Sequence, residues 1–469
     1  MKICLIAEGS YPFITGGVSS WIHSLITSMP EHEFIIYAIG AQEKNRGKYV
    51  YQPPANVVEI KEVFLDTYLK EESAPGKRLG LTEAEQQALL SLLDGSRGDW
   101  SALFSMLAGS KVSSVAELLT SKDFFEVIQR LCLQKYPQIP FTEMIWMIRS
   151  MVLPLCLIMK NGVPQADLYH SVCTGYGGVA GSLGKHLFSK PFLLTEHGIY
   201  TREREEEIIK ANWIKGHFKD IWIDYFHNLS ACAYSYADEV ITLFERNKEI
   251  QIELGCDPAK VSVIPNGVKV NEYASIAEEK ADGILTIGAV VRVVPIKDIK
   301  TMLHSFGVVK ELVPHARFII IGPADEDEEY YTECLQLVDS LQLEDVTFTG
   351  AVNVKAYLGK IDVLVLTSIS EGQPLVILEG MACKKPFVTT DVGSCRELLY
   401  GNGDNYGNAG ITVPVMHFNQ IAQAIISLCH NEPLRRRMGK NGFDRVSAIY
   451  THENFLAGYR NLYRKYEVL

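Results

Sequence analysis

Val363-Leu364-Val365-Leu366-Thr367 leads, through Ser368-Ile369, into Ser370-Glu371-Gly372-Gln373-Pro374-Leu375-Val376-Ile377-Leu378-Glu379-Gly380-Met381-Ala382. A short apolar run, a turn containing glycine and a helix with proline near its first position form a strand–turn–helix sequence. Open α/β sheets bind ligands at the carboxyl edge of their strands, so the turn delivers Glu371 there. Glu379 follows about one and a half turns into the helix. Gly372, Gln373, Pro374, Leu375 and Val376 form the turn and first helical turn, whose free N–H groups can bind phosphate oxygens. A carboxylate beside such a site is suited to sugar hydroxyls rather than to phosphate. The deeper Glu379 suits a ribose diol. Singly, each glutamate reads as a surface residue, since Glu is mostly exposed; strand, turn, proline and both carboxylates together reverse that reading.

On either side of this stretch, short apolar runs alternate with helical patterns. Candidate strands are Lys2–Ala7, Glu33–Ile39, Leu168–Val172, Phe192–Thr195, Glu239–Thr242 and Val261–Ile264. A second set comprises Leu285–Val290, Arg317–Ile321, Val346–Thr349, Val363–Thr367, Pro386–Thr389 and Gly410–Val413. Such runs between helices indicate βαβ units with both sheet faces covered. The polar stretch Asn271–Gly283 separates the sets and reads as a linker. The expected organisation is a first Rossmann-like domain over 1–275, a second over 283–440 and C-terminal helices over 441–469 returning to the first. From about 67 to 164 strand signals are few and helix signals many. Thr82-Glu83-Ala84-Glu85 is a capping box, and Ser114-Val115-Ala116-Glu117 opens a helix in the same way. This reads as a helical insertion.

Arg292 and Lys297 are isolated cations in Ile287-Gly288-Ala289-Val290-Val291-Arg292-Val293-Val294-Pro295-Ile296-Lys297-Asp298, after the first strand of the second set. Cations there suit a nucleotide diphosphate, which gains negative charge as it departs. Arg can grip it bidentately and Lys acts as a point charge. Asp325-Glu326-Asp327 superficially resembles a metal-binding Asp-x-Asp. It opens a helix, where acidic residues are favoured by the dipole, and reads as a solvated helix start.

In the first half, Tyr11-Pro12-Phe13-Ile14-Thr15-Gly16-Gly17-Val18-Ser19 follows the first strand. Gly16 and Gly17 allow close approach to a ligand, a weak signal alone. Gly175-Tyr176-Gly177-Gly178-Val179-Ala180-Gly181 has the wrong spacing for a dinucleotide fingerprint and reads as small residues packing a helix on the sheet. His197, in Leu193-Leu194-Thr195-Glu196-His197-Gly198, ends a strand and could hydrogen-bond a donor sugar or organise an acceptor. A histidine satisfied within the core is the competing reading. The Asn266-Gly267 pair reads as a turn. Phe455, Tyr459, Leu462, Tyr463 and Tyr466 recur at helical spacing as a structural tie.

With 469 residues, 47% apolar and 22% charged, the chain has material for two cores. A net charge of -11 gives no general footprint for nucleic acid. The ten cysteines form no C-x-x-C pair, which leaves zinc unsupported and suits a reducing compartment. The N-terminus is apolar for only the five residues Ile3–Ala7 before Glu8, too short for a signal-peptide core. The stretch between Glu143 and Lys160 carries Arg149 and Pro154 and is short of a membrane span, so a buried or subunit-facing helix is expected.

Glu371 and Glu379, as E-x7-E within E-G-Q-P-L-V-I-L-E-G-M-A, resemble the signature of glycosyltransferase family 4, and Arg292 and Lys297 resemble its R-x4-K. Val263-Ile264-Pro265-Asn266-Gly267-Val268 is similar to another of its elements. Thr195-Glu196-His197-Gly198-Ile199-Tyr200-Thr201-Arg202-Glu203-Arg204 and the helical insertion resemble the PelF-type branch. The resemblance spans the whole chain. It implies the GT-B fold, two Rossmann-like domains facing across a cleft, and a retaining, metal-independent hexosyltransferase. It implies that Glu371 contacts donor-sugar hydroxyls, Glu379 the ribose, and the Gly16-Gly17 loop the donor phosphates. The branch implies exopolysaccharide (Pel) synthesis from a UDP-sugar, UDP-glucose first, onto a carbohydrate acceptor. It also implies a cytoplasmic location, peripheral to the inner membrane through polysaccharide-assembly proteins. Asp391-Val392-Gly393-Ser394-Cys395-Arg396-Glu397 departs from the usual Gly-Gly-x-x-Glu. Two alternatives stand beside this: a sugar-nucleotide epimerase of the same shape, and a catalytically silent assembly scaffold.

Overall fold

The computed structural model describes residues 1–67, 76–279 and 283–467. The chain divides into two compact units, Met1–Val263 with Leu462–Leu469, and Ile264–Asn461. The division falls ahead of the linker expected at Asn271–Gly283. Part of that stretch, including Lys280 and Asp282, lies outside the described residues. The physical reason is that the chain after Val263 is already bonded into the second unit. Asn266 N donates to Gln373 Oε1 at 2.6 Å, Val268 bridges Thr451, and Tyr273 OH donates to Glu379 at 2.8 Å.

The first unit holds a seven-stranded, all-parallel sheet. Its strands are β1 Lys2–Glu8, β2 Glu33–Gly40, β3 Val57–Phe64, β4 Leu168–Ser171, β5 Phe192–Glu196, β6 Glu239–Thr242 and β7 Val261–Val263, in the order β3-β2-β1-β4-β5-β6-β7. The apolar runs of β1, β2, β4 and β5 are buried on both faces, as strands covered by helices must be. Strand β3 was not among the expected strands. Its sequence, VVEIKEVF, interleaves Glu59, Lys61 and Glu62 with apolar residues, and only Val63 and Phe64 are buried. Charges on an edge strand discourage further pairing and erase the apolar run that reveals interior strands.

The second unit repeats the plan with six parallel strands: β8 Thr286–Val290, β9 Arg317–Ile321, β10 Val346–Phe348, β11 Val363–Leu366, β12 Phe387–Thr390 and β13 Gly410–Val413, ordered β10-β9-β8-β11-β12-β13. In each sheet the first strand has later strands on both sides. The crevice between β1 and β4, and that between β8 and β11, are therefore the switch points where such sheets take ligands.

Among the described residues the expected insertion is five helices: Glu83–Leu93, Trp100–Ala108, Val115–Leu119, Lys122–Gln134 and Phe141–Asn161. Residues 68–75 of the expected range lie outside the described residues. Thr82 and Glu85 form the reciprocal capping box, and Ser114 caps the next expected start through Glu117 N. The Phe141–Asn161 helix is long and apolar enough to cross a membrane, with mean hydropathy 1.6, but 61% of that window is buried within the protein. Met144, Ile148, Met151 and Leu155 are among its buried residues, so it serves as a core helix. Glycines fit the Tyr176–Phe188 helix to its neighbours: a side chain at Gly181 would meet Phe192 at 2.2 Å, and one at Gly178 would meet Ala233 at 2.7 Å.

The C-terminal return is later than 441. The Glu432–Ala448 helix packs within the second unit, where a side chain at Gly439 would strike Lys384 O at 2.0 Å. Only from Leu462 does the chain belong to the first unit. There Tyr463 OH lies 2.7 Å from His170 Nδ1, and His170 Nε2 lies 2.8 Å from Thr195 Oγ1. Burial, then the nearby His197, push the His170 pKa from 6.5 to about 3; burial takes His197 to about 4.

Both histidines are therefore neutral in the folded chain where their unfolded counterparts are protonated. Between pH 6.5 and about 4 the unfolded state binds up to two more protons, so stability is full above pH 6.5 and falls as pH drops. The expected slope is about 1.4 kcal/mol per pH unit for each proton, read from urea unfolding at stepped pH. His170→Asn should lower that slope by one proton; an unchanged slope would contradict the assignment.

Candidate active site

Lys297 and Glu371 meet at the switch point of the second sheet. Each is carried by a loop leaving the carboxyl end of one of two adjacent strands, β8 and β11. The loops are tied together: the Thr367 side-chain Oγ1 donates to Lys297 O at 3.0 Å and Asp298 O at 3.1 Å, and the backbone Ile369 N donates to Ile296 O at 2.9 Å. Asp298 turns the chain with φ 48° and caps the Ile299–Leu312 helix through Thr301 N. The Lys297 ammonium donates to Glu371 Oε1, which also accepts from Ser368 Oγ at 2.5 Å. The two side chains are 18% and 10% exposed, so the pair is largely out of water.

Arg292 leaves the same strand, but its guanidinium is 53% exposed and sits on Glu326, with Nη1 to Oε1 at 2.7 Å. The sequence treats Arg292 as an isolated cation and Glu326 as part of a solvated helix start; the structure pairs them. The helix begins at Glu328, capped by Asp327, whose Oδ1 accepts from Tyr330 N at 2.9 Å. Two of the three residues of the Asp-x-Asp look-alike thus already hold partners.

Glu379 lies in the Leu375–Ala382 helix, which starts one residue after Pro374. Burial raises its pKa, opposed by the hydrogen bond from Tyr273 and by Lys355. Tyr273 carries no motif, so sequence reading misses it. Gln373 is buried and spends its carbonyl on Asn266 N, while its Nε2 and Asn266 Oδ1 have no hydrogen-bond partner among the described residues. Gly372 and Gly393 zip this loop to the next: Ser394 N donates to Gly372 O at 3.0 Å, and a side chain at Gly393 would meet Glu371 O at 2.2 Å. The departing stretch 391–397 therefore keeps one glycine where close approach requires it. Leu375 is exposed and Val376 half-buried at the first helical turn.

In the first unit, His197 follows β5 directly. Glu196, the last residue of that strand, is buried and accepts from Tyr234 OH and Gln251 Nε2, both at 2.7 Å, and from Tyr200 N at 3.1 Å. Three donors fix the turn that carries His197. The imidazole packs edge-to-face on Trp21, ring centres 5.0 Å apart, and its Nε2 has no hydrogen-bond partner among the described residues. The core thus leaves that nitrogen unsatisfied among the described residues. Trp21 belongs to the Gly17–Thr27 helix. Gly16 and Gly17 begin that helix, exposed, with open space where side chains would be and no capping side chain. Glu8, at the end of β1, was not singled out by the sequence. Its Oε2 accepts from Gly177 N at 3.0 Å across the switch point, and burial raises its pKa, opposed by that bond. Its only sequence signal is a carboxylate closing an apolar strand.

Two open parallel sheets, each with charged or unpaired polar groups at the carboxyl edge of its switch point, define the class of double Rossmann-like ligand-binding proteins. The chain belongs to the family described as a domain of unknown function (DUF3492), matched over residues 1–259, and residues 274–445 match the glycosyl transferases group 1. It is a glycosyltransferase with the GT-B fold. An uncharacterized glycosyltransferase of Methanocaldococcus jannaschii is 27% identical over 66% of this chain and 77% of its own. Sucrose-phosphate synthase of Thermosynechococcus elongatus superposes with TM-score 0.61 at 17% identity, covering 99% of this chain and 98% of that one. HepE of Anabaena, solved in complex with UDP, superposes with TM-score 0.61 at 14% identity over 99% of this chain and 100% of its own.

Gly393→Ala tests the zipped loops. The left-handed φ of 52° and the 2.2 Å approach to Glu371 O force the Glu371 loop to move. The expected loss is about 1–3 kcal/mol in urea unfolding, with glycosyl transfer reduced at temperatures where the variant is still folded. Full transfer activity in a folded variant would contradict this role.

Proposed function

We propose that the chain transfers a hexose, glucose first, from a UDP-sugar to a growing exopolysaccharide or its precursor, with retention at the anomeric carbon and without a divalent metal. The observation that carries this reading is the Lys297–Glu371 pair at the β8/β11 switch point, a cation and a carboxylate held by tied loops. In this reading Glu371 accepts from donor-sugar hydroxyls. Lys297 and Arg292 neutralise the departing diphosphate, and the first-turn amides of Leu375 and Val376 assist. Glu379 accepts from the ribose, and the Gly372–Pro374 turn, with Gln373 Nε2, borders the donor. The unpaired Nε2 of His197 serves the acceptor, beside the Gly16-Gly17 loop.

The UDP in the Anabaena structure supports a uridine donor by shared fold. Metal independence is supported by Glu326 and Asp327 being engaged with Arg292 and Tyr330 N. All ten cysteines are unpaired, which supports the cytoplasm. The Pel pathway, and inner-membrane assembly proteins as partners, follow from the PelF-type resemblance.

The test is a panel of nucleotide sugars scored for nucleotide release, with and without EDTA and with and without carbohydrate acceptor. UDP-sugars are expected to turn over, EDTA to change nothing, and proton NMR of the product to show the donor's anomeric configuration. Arg292→Ala and Glu371→Gln should each lower kcat about 10²–10³-fold. A strict Mg²⁺ requirement, or unchanged turnover in both variants, refutes the reading. Donor conversion without acceptor would mark an epimerase, and absence of UDP binding by calorimetry a scaffold.

A further inference from the structure

Five tryptophans occur in the chain, and two of them, Trp146 and Trp213, are 68% and 72% exposed. Large aromatic rings left this far in water stand out against the usual burial of tryptophan. Both line one groove of about 470 Å³ on the first unit, between the Phe141–Asn161 helix and the segment leading into the Lys219–Tyr236 helix. That volume lies within the range of small-molecule sites, roughly 300–1,000 Å³.

The exposed rings are held in place. The Arg149 guanidinium lies 5.3 Å from the Trp146 ring centre and is itself anchored, its Nε donating to Leu119 O at 2.8 Å. Trp213 packs edge-to-face on the buried Trp222 at 5.7 Å and 83°. A rigid aromatic surface loses little entropy when a ligand lies on it. The rim is polar. Glu143 and Lys215 form an ion pair at 2.7 Å, and the hydroxyl residues Thr142 and Ser150 also border the groove.

We propose that this groove is a carbohydrate-binding site, separate from the donor site of the second unit, which holds a neutral stretch of glycan on the Trp146 and Trp213 indoles. The axial C–H faces of pyranose rings are weakly positive and lie against the negative face of an aromatic ring. Their equatorial hydroxyls need donors and acceptors at the edge, which the rim supplies. Charge selects this occupant over a lipid surface. Binding to anionic lipid requires clustered Lys and Arg, whereas the groove's two charged lining side chains, Glu143 and Lys215, cancel each other, and Arg149 against Trp146 is a single cation rather than a cluster. The nearby Lys210 is likewise paired, with Glu206. A neutral polymer is the complementary ligand. The inference rests on the reading that the acceptor is a carbohydrate, and the groove would keep that product near the enzyme between transfers.

The test is binding, independent of transfer. Cellotetraose, maltotetraose and chitotetraose are titrated into the full chain by calorimetry and by intrinsic tryptophan fluorescence, with UDP titrated in parallel. At least one tetrasaccharide is expected to bind wild type. Trp146→Ala and Trp213→Ala should each weaken it about tenfold, the worth of about 1.4 kcal/mol. Trp→Tyr at either position should restore most of the affinity, and UDP binding should be unchanged in every variant that keeps the wild-type circular dichroism. No binding of any tetrasaccharide, or equal binding by the doubly substituted Ala variant, overturns the proposal. So does sedimentation with phosphatidylglycerol vesicles that the Ala substitutions abolish, which would assign the groove to lipid. Loss of UDP binding in wild type with saccharide binding intact would refute the proposed donor chemistry and leave the groove standing.

Discussion

In the proposed reading, the second unit's chemistry depends on the ion pair between Lys297 and Glu371. Removing an ammonium and a carboxylate from water is costly unless each finds the other and further hydrogen bonds complete the set. Here Ser368 supplies one such bond, and the Thr367 hydroxyl and the Ile369 backbone N–H lock the two loops. The side chains therefore meet without searching. A site built this way has its charges oriented before any ligand arrives, which is the condition under which fixed charges lower a barrier most.

The same economy of position appears in the first unit. Glu196 is fixed by three donors and hands the chain on to His197, whose ring rests on Trp21 from the helix that Gly16 and Gly17 begin. Burial keeps both His170 and His197 neutral, so His197 can offer its ring nitrogen as a hydrogen-bonding group rather than as a cation. Glu8 faces the neighbouring switch point with burial favouring its protonated form.

Much of this was legible beforehand because interior parallel strands must be continuous apolar runs, and helices announce their starts by capping chemistry. Twelve of the thirteen described strands overlap the expected runs, three of them (β7, β10 and β13) at sheet edges, and both expected caps of the insertion form. Strand β3 escaped because Glu59, Lys61 and Glu62 interrupt its apolar residues. The boundary near Val263 escaped because Asn266, Val268 and Tyr273 join the second unit through contacts to residues about 106 to 183 positions away, which no local pattern encodes.

By itself the sequence determined that there are two parallel α/β halves, where the strand–turn–helix loops lie, and which carboxylates and cations ride on them. These are matters of local periodicity and backbone propensity, set within a few residues. Only the tertiary structure decided what those charges meet: Lys297 meets Glu371, Arg292 meets Glu326, and Glu379 meets the Tyr273 hydroxyl. Pairings of that kind depend on strand order and on loops tied through space, and electrostatic energy depends on distance and burial, neither of which is a property of neighbouring residues.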